Sequence, residues 1–190
     1  MSRLKISIVG AGHVGATTAH LIALKGLADI VLLDIDEGIA KGKALDMLQA
    51  SPIEKFNIEI KGTSNYEDTK NSDIVVITSG IARKLGMSRD ELLTINTKIV
   101  REVAEKSAVY SPNAVMIVVT NPLDAMTYIA SKASKLPKHK VVGMGSILDS
   151  ARFNTFIAEE LNISPAEVDA VVIGSHGNLM VPLPTHSKVN

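Results

Sequence analysis

Three glycines follow the first apolar run of the 190-residue chain in the pattern G-x-G-x-x-G: Gly10, Gly12 and Gly15. At a strand-to-helix turn, the first glycine permits the tight turn, the second lets a pyrophosphate approach the backbone, and the third lets the helix pack on the strand. The helix N-terminus then offers free N–H groups to phosphates. The pattern predicts a dinucleotide site, although a plain tight turn has the same spelling.

An acid, Asp34, ends the second apolar run, nineteen residues after Gly15. A carboxylate at this place can accept both hydroxyls of an adenosine ribose and repels a 2′-phosphate, which favours NAD over NADP. The alternative is that Asp34 is an N-cap or a turn residue. The glycines, the acid and their order favour dinucleotide binding, but they fix no reaction, because flavin and other nucleotide proteins share the same unit.

One of the five histidines, His176, stands in a glycine-rich turn after an apolar run that we expect to be a buried strand. Imidazole exchanges protons near neutral pH, so His176 is a candidate general acid or base. Asp149 opens a helix, and a buried carboxylate there would orient the imidazole and stabilise its charged form. The alternative is that Asp149 caps that helix.

Arginines provide candidates for binding an anionic substrate. Arg152 follows Asp149 by three residues, so both side chains lie on one helix face, and its guanidinium can hold a carboxylate bidentately. A structural ion pair between the two residues is an equal alternative. Arg83 and Arg89 fall within residues 79–89, which we expect to form a mobile loop; the alternative is that both are solvated loop cations.

The composition excludes several classes of function. Twenty basic and twenty acidic residues give no net charge, and aromatic residues make up 3%, so a nucleic-acid or membrane surface is not expected. The absence of cysteine excludes disulfides and thiol catalysis, and no histidine spacing suggests a metal. The first apolar run is too short to span a bilayer and carries no cleavage-site pattern, so we expect a cytoplasmic protein.

The elements that must position these residues alternate between short β-branched runs and segments of helical period. This alternation predicts an α/β fold with a doubly wound parallel sheet of Rossmann type. The predicted strands are 6–9, 30–33, 57–61, 74–78, 114–119 and 140–143, and the predicted helices are 14–25, 38–49, 90–107 and 123–134. Ser51-Pro52 is expected to break the second helix.

Beyond Gly143 the pattern changes. We predict a dinucleotide-binding domain over residues 1–142 and the start of an α+β substrate domain over residues 143–190. The second part should contain a helix over 149–161, an N-cap at Ser164 and a strand over 170–173.

Four further segments resemble the lactate and malate dehydrogenase family. They are Gly80 to Arg89 (GIARKLGMSR), Val119 to Asp124 (VTNPLD), Leu148 to Phe153 (LDSARF) and Gly174 to Gly177 (GSHG), and their order and spacing match across nearly the whole chain. The malate branch is the more similar one, because Arg83 stands where lactate enzymes typically carry glutamine.

The resemblance implies NAD as cofactor and reversible oxidation of (S)-malate to oxaloacetate. It makes His176 the acid/base, oriented by Asp149. It assigns Arg152 to one substrate carboxylate, Arg83 to the other, Arg89 to the carbonyl, and Asn121 to the substrate oxygen. The implied cofactor contacts are Gly10, Ala11, Gly12, His13, Val14, Gly15, Asp34, Asn96, Val119, Thr120 and Asn121. For Asn96, a surface position on a helix is the simpler interpretation.

The chain departs from the family pattern in three respects. Leu85 stands where many malate enzymes have proline, and Asn178 stands where the family usually has aspartate. A typical member also continues beyond Asn190, so we expect the substrate domain to be incomplete. The alternatives are a lactate or other 2-hydroxy acid dehydrogenase, and a non-catalytic NAD-binding fragment. The resemblance also implies a homodimer or homotetramer for a full-length member.

Overall fold

The computed structural model describes residues 3–189, and the chain divides into two units, Met1–Gly143 and Met144–Asn190. Within the described part of the first unit, six strands alternate with four α-helices. The strands are β1 (Lys5–Val9), β2 (Asp29–Leu33), β3 (Ile60–Thr63), β4 (Ile74–Ile77), β5 (Val115–Val118) and β6 (Val141–Gly143). The helices are α1 (His13–Leu24), α2 (Glu37–Glu54), α3 (Arg89–Tyr110) and α4 (Leu123–Ser134). Short 3-10 helices, Tyr66–Thr69 and Lys138–Lys140, precede β4 and β6.

The six strands form one sheet in the order β3-β2-β1-β4-β5-β6, and every neighbouring pair is parallel. The order reverses between β1 and β4, which is the arrangement of a doubly wound sheet with its ligand crevice at the carboxyl ends of these strands. The predicted α/β fold of Rossmann type is therefore confirmed.

Two apolar clusters cover the two faces of this sheet. Because side chains alternate along a strand, Ile8 packs in one cluster with α1 and α2, and Val9 packs in the other with α3 and α4. On β4, Val76 belongs to the first cluster, and Val75 and Ile77 belong to the second. Burial on both faces explains why β4 is uniformly aliphatic.

The predicted boundaries in the first unit are wrong at the end of the second helix and at the third strand, and α3 extends three residues beyond its predicted end. Pro52 does not break α2, which continues to Glu54 and ends at Lys55 in the left-handed conformation, with the Lys55 N–H donating to Ser51 O. Proline removes one backbone donor here, but less than one turn follows it, so little helix is disturbed. The third strand lies over Ile60–Thr63, later than the predicted 57–61, because its ladder with β2 begins only at Ile60.

The second unit holds one long helix and short strand pairs in its described residues. Helix α5 (Ser146–Leu161) is followed by β7 (Val168–Asp169), β8 (Val172–Gly174), β9 (Met180–Pro182) and β10 (Lys188–Val189), with 3-10 helices Pro165–Glu167 and Pro184–His186. A small core contains Ala158, Val168 and Ala170. Ser164 caps the first 3-10 helix by accepting from the Ala166 N–H, as predicted.

The predicted strand over 170–173 has the wrong bounds, because β7 ends at Asp169 and β8 begins only at Val172. β7 pairs with β10 and β8 pairs with β9, both antiparallel. Side chains of α5 take two backbone donors here: the N–H of Ala170, between the strands, donates to Asn154 Oδ1, and the N–H of Val172, at the start of β8, donates to Ser150 Oγ. The expectation of a buried strand before His176 holds for Val172 only, because the next two residues of β8 are exposed.

Across residues 3–189, no helix combines the length and the apolar character needed to cross a membrane.

Candidate functional site

The glycine turn joins β1 to α1 in the first unit. Gly10 has φ +111°, and a Cβ at Gly15 would lie 1.8 Å from Gly10 O, so both positions require glycine. Gly12 is the N-cap of α1 and has open space where a Cβ would stand. The first turn of the helix carries no acidic residue. The turn therefore presents an accessible backbone and helix N-terminal N–H groups, which fits a pyrophosphate.

Asp34 holds the glycine turn from the end of β2. Its Oδ2 accepts from the Ala11 N–H at 2.6 Å, and its Oδ1 accepts from the Asp36 N–H at 3.0 Å. On the other side of Ala11, Lys43 Nζ donates to the carbonyl oxygen at 2.6 Å. Asp36, not Asp34, caps α2, so the N-cap alternative for Asp34 is wrong. The turn interpretation holds in part, because Asp34 accepts from the Asp36 N–H two residues later. Each carboxylate oxygen keeps further acceptor capacity for a ribose hydroxyl.

A cavity of about 580 Å³ opens beside these residues at the carboxyl ends of β1, β2 and β4. Its lining includes Gly10, Gly12, Asp34, Tyr66, Glu102 and Lys106. The cavity lies at the point where the strand order reverses, the usual ligand crevice of such sheets. The glycine turn and Asp34 thus face one concave space.

Tyr66 is the aromatic side chain of this cavity. Burial raises the pKa of Tyr66 to about 12, and the negative charge of Glu102 adds to the rise. Its ring stacks on Tyr110 with centroids 6.5 Å apart, and Lys106 Nζ lies 5.3 Å from its centroid. The phenol therefore stays neutral at physiological pH.

Asn96 is buried in the middle of α3, with 1% of its surface exposed, so the surface interpretation is wrong. Its amide bonds to the backbone of Ile81 and of Asn121. Val119 N–H continues the sheet by donating to Ile77 O, and Thr120 Oγ1 donates to Ser79 O at 2.7 Å. The turn after β5 is thus bonded to the segment after β4, while Asn121 itself is exposed.

The arginines of the first unit lie on and beside the segment that follows β4. Arg83 is exposed, and its Nε donates to Met87 O at 3.0 Å. Arg89 is not a loop residue as predicted but the first residue of α3, because Ser88 and Glu91 form a capping box there. Leu85 is fully exposed and packs on nothing that would hold the loop.

In the second unit, Asp149 lies between a histidine and an arginine. Its Oδ2 is 2.7 Å from His176 Nδ1, and its Oδ1 is 3.5 Å from an Arg152 guanidinium nitrogen. The side chain of Asp149 is 4% exposed, that of His176 16% and that of Arg152 60%. Gly145 is the N-cap of α5, so the capping alternative for Asp149 is wrong. The ion-pair alternative for Arg152 is present in the structure.

Two models of one family match nearly the whole chain. Residues 4–143 match the lactate/malate dehydrogenase NAD binding domain, and residues 146–190 match the alpha/beta C-terminal domain of the same family. The chain belongs to the lactate/malate dehydrogenase family. The predicted family and the predicted cofactor, NAD, are thereby confirmed.

Individual relatives of this family are similar at high identity. A malate dehydrogenase of Heliobacterium modesticaldum is 59% identical over 189 residues, 100% of this chain and 61% of the relative. One of Bacillus subtilis is 57% identical over 188 residues, 98% of this chain and 60% of the relative. The crystal structure of Cryptosporidium parvum malate dehydrogenase has a TM-score of 0.95 at 46% identity, covering 99% of this chain and 60% of that one. The chain thus spans about 60% of the length of these relatives.

Several contacts of this family member were not expected from its sequence. Lys43 belongs to no recognisable motif, so its bond with Ala11 O could not be predicted from the sequence. Asn96 did have a signal, because it falls on the apolar stripe of α3 between Leu92 and Val100 at four-residue spacing. The Ser88 cap was readable as S-x-x-E.

No group of three or more His, Cys, Asp or Glu side chains in the described part of the chain is arranged to hold a metal ion.

Proposed function

We propose that the protein is an NAD-dependent malate dehydrogenase that interconverts (S)-malate and oxaloacetate. The observation that carries the proposal is the contact between His176 and the buried Asp149. A protein that only binds NAD does not need a buried carboxylate that contacts a histidine. Proton exchange at a substrate oxygen does need one, because the carboxylate orients the imidazole and balances its charge. The malate dehydrogenases that are 53–61% identical support this choice of substrate.

His176 exchanges the proton of the reaction. A carboxylate only accepts hydrogen bonds, so Asp149 keeps a proton on Nδ1, and we assign the exchange with the substrate to Nε2. In the direction of malate oxidation, Nε2 takes the proton of the C2 hydroxyl, and Asp149 stabilises the resulting imidazolium. Bound NAD supplies the acceptor for the hydride from C2. In the reverse direction His176 returns the proton to the ketone oxygen.

The arginines and Asn121 bind the substrate. We assign the C1 carboxylate to Arg152, whose exposed guanidinium keeps donors beyond its contact with Asp149. We assign the second carboxylate to Arg83, and the polarisation of the carbonyl to Arg89, with Asn121 donating to the substrate oxygen. Support for these roles comes from the family motifs and from the exposure of all four side chains.

The cofactor is held by the first unit. Gly10 to Gly15 receive the pyrophosphate and Asp34 receives the adenosine ribose, which is consistent with the open Gly12 and the position of the cavity. We assign the nicotinamide side to Val119, Thr120 and Asn121. Residues 1–142 then form the cofactor domain, and residues 143–190 belong to the substrate domain.

We also propose a cytoplasmic homodimer or homotetramer. The absence of cysteine is consistent with a reducing compartment. Light scattering coupled to size-exclusion chromatography measures the oligomeric state, and a monomer at micromolar concentration would contradict the assembly.

A steady-state assay with NADH tests the activity. Oxaloacetate should be reduced with a kcat/KM about 100-fold or more above that of pyruvate, because pyruvate lacks the second carboxylate that pairs with Arg83. A preference for pyruvate would identify a lactate dehydrogenase. NADH binding without turnover of either substrate would identify a non-catalytic cofactor-binding protein.

A further inference from the structure

The side-chain amide of Asn96 uses both of its N–H donors on backbone carbonyls. Nδ2 donates to Asn121 O at 2.7 Å and to Ile81 O at 3.2 Å, and Oδ1 accepts from the Ile81 N–H at 2.9 Å. The orientation of the amide is fixed by these partners, because a flipped amide would set Nδ2 against the Ile81 N–H and its oxygen against a carbonyl. Asn96 therefore has a single defined position.

The two backbone segments that Asn96 joins come from neighbouring strands. Ile81 lies four residues after the end of β4, and Asn121 lies three residues after the end of β5. A second bond of the same kind runs from Thr120 Oγ1 to Ser79 O at 2.7 Å. The segments are in close approach, since a Cβ at Gly80 would stand 2.6 Å from Thr120 Cγ2 and 3.1 Å from Asn96 Oδ1.

Ile81 is also the point from which the Arg83 loop, residues 82–88, departs. All residues of this loop are exposed except Met87, which is half-buried. Helix α3 holds both ends of the loop: Asn96 bonds to Ile81 at one end, and Glu91 bonds to Ser88 at the other through the capping box. Of the two side chains that join these segments, Asn96 is the one that reaches Ile81, where the loop that carries Arg83 begins, and Asn121.

We propose that Asn96 is a positioning residue that sets the Arg83 loop against Asn121, acting on the substrate through these backbone bonds rather than by donating to the cofactor. The inference rests on the proposed function, in which Arg83 and Asn121 both bind substrate. Loss of the two donated bonds frees the Asn121 turn and the start of the loop. A displacement of substrate-binding groups by about 1 Å is enough to impair the chemical step about 100-fold.

Asn96→Asp and Asn96→Ser test the proposal in the whole protein. The aspartate keeps the acceptor for the Ile81 N–H but removes both donors. The serine is the second variant, because it is small and uncharged and should fold even if a buried aspartate prevents folding. We expect kcat/KM for oxaloacetate to fall about 100-fold, with the NADH dissociation constant within about twofold. Hydrogen exchange at the Ile81 amide should accelerate in Asn96→Ser.

The matched control is Ser107→Ala, on the same helix. Ser107 is 1% exposed, and its hydroxyl has no hydrogen-bond partner among the described residues, so its loss should change none of these measurements. An NADH dissociation constant that rises as much as kcat/KM falls would overturn the proposal, because the effect would then not be specific to the substrate. Folded variants with unchanged kcat/KM would also overturn it.

Hydrogen exchange separates this inference from the proposed function. If the unaltered protein turns over neither oxaloacetate nor pyruvate, the proposed function fails, but the Ile81 amide should still exchange more slowly than the amides of Ala82 and Arg83. Exchange at Ile81 as fast as at those neighbours would refute the role of Asn96 without any variant, and so covers the case in which both variants unfold.

Discussion

Asp149 Oδ2 lies 2.7 Å from His176 Nδ1, and the carboxylate is almost completely buried while the imidazole retains some exposure. The contact joins the first turns of α5 to the turn between β8 and β9, so the helix determines how the imidazole is oriented. A buried carboxylate without a partner would be costly, which makes the contact a fixed feature of the second unit.

Replacing Asp149 with asparagine should impair proton exchange and leave cofactor binding intact. Without the carboxylate, the imidazole loses the group that sets its tautomer and balances its charge, so kcat should fall about 100- to 10,000-fold, the range of general acid–base catalysis. Steady-state kinetics and NADH fluorescence titration measure the two effects. Asp169→Asn, which affects an exposed acid 3.8 Å from Lys188 in the same unit, is the control. A kcat within about threefold of the unaltered value would contradict the proposed role.

Elements governed by local patterns were predictable from the sequence. Helix α4 has the predicted bounds, 123–134, and β4 differs from its prediction by one residue. In both, an aliphatic pattern ends at a clear boundary, with Pro122 preceding the helix and polar residues following the strand. The glycine turn was predictable for the same reason, because its requirements fall on three positions within six residues, Gly10, Gly12 and Gly15.

Features that depend on distant parts of the chain were not predictable. The division between β7 and β8 results from Asn154 and Ser150 of α5, which take the intervening backbone donors. The role of Asn96 depends on carbonyl groups 15 and 25 residues away. The four-residue spacing of Leu92, Asn96 and Val100 marks Asn96 as buried, but no spacing in the sequence identifies the carbonyl groups that it bonds or the backbone donors that α5 takes.

Asp34 should determine the preference for NAD over NADP. In the double variant Asp34→Ser/Ile35→Arg, the carboxylate is removed and a guanidinium is placed at a fully exposed position that lines the same cavity. The ratio of NADH to NADPH affinity should shift toward NADPH about 10- to 100-fold, the value of one charge-assisted contact. Calorimetric titration with both cofactors measures the ratio.

The control for this experiment is Asp36→Asn, which changes a neighbouring acid that caps α2 through the Ile39 N–H. Asparagine caps a helix about as well as aspartate, so this variant should remove a nearby negative charge without altering the ratio. If the unaltered protein already binds NADPH as tightly as NADH, the role of Asp34 is wrong.

Arg83→Gln should impair oxaloacetate reduction far more than NADH binding. A substrate carboxylate bound without its partner costs about 2–5 kcal/mol, which corresponds to about 30- to 4,000-fold in kcat/KM. The substitution also removes the bond from Arg83 Nε to Met87 O. Lys84→Gln is the control for the loss of a positive charge on the same loop. Equal losses in NADH affinity and kcat/KM would indicate misfolding, and no loss would return Arg83 to the solvated-cation interpretation.

Tyr66 should make the stability of the first unit depend on pH above about 10. Because its pKa is raised to about 12 in the folded protein and is about 10 in an unfolded chain, the folded form holds the phenolic proton more tightly. Its contribution is therefore complete below pH 10 and is lost as the pH rises from 10 to 12. Denaturant unfolding at pH 9 and pH 11.5 should show a smaller decrease in unfolding free energy for Tyr66→Phe than for the unaltered protein.

The control is Tyr128→Phe, which changes an exposed ring on α4 and should follow the unaltered protein. An equal decrease in Tyr66→Phe and in the unaltered protein would show that the phenol of Tyr66 ionises alike in both states, and that burial beside Glu102 does not protect it.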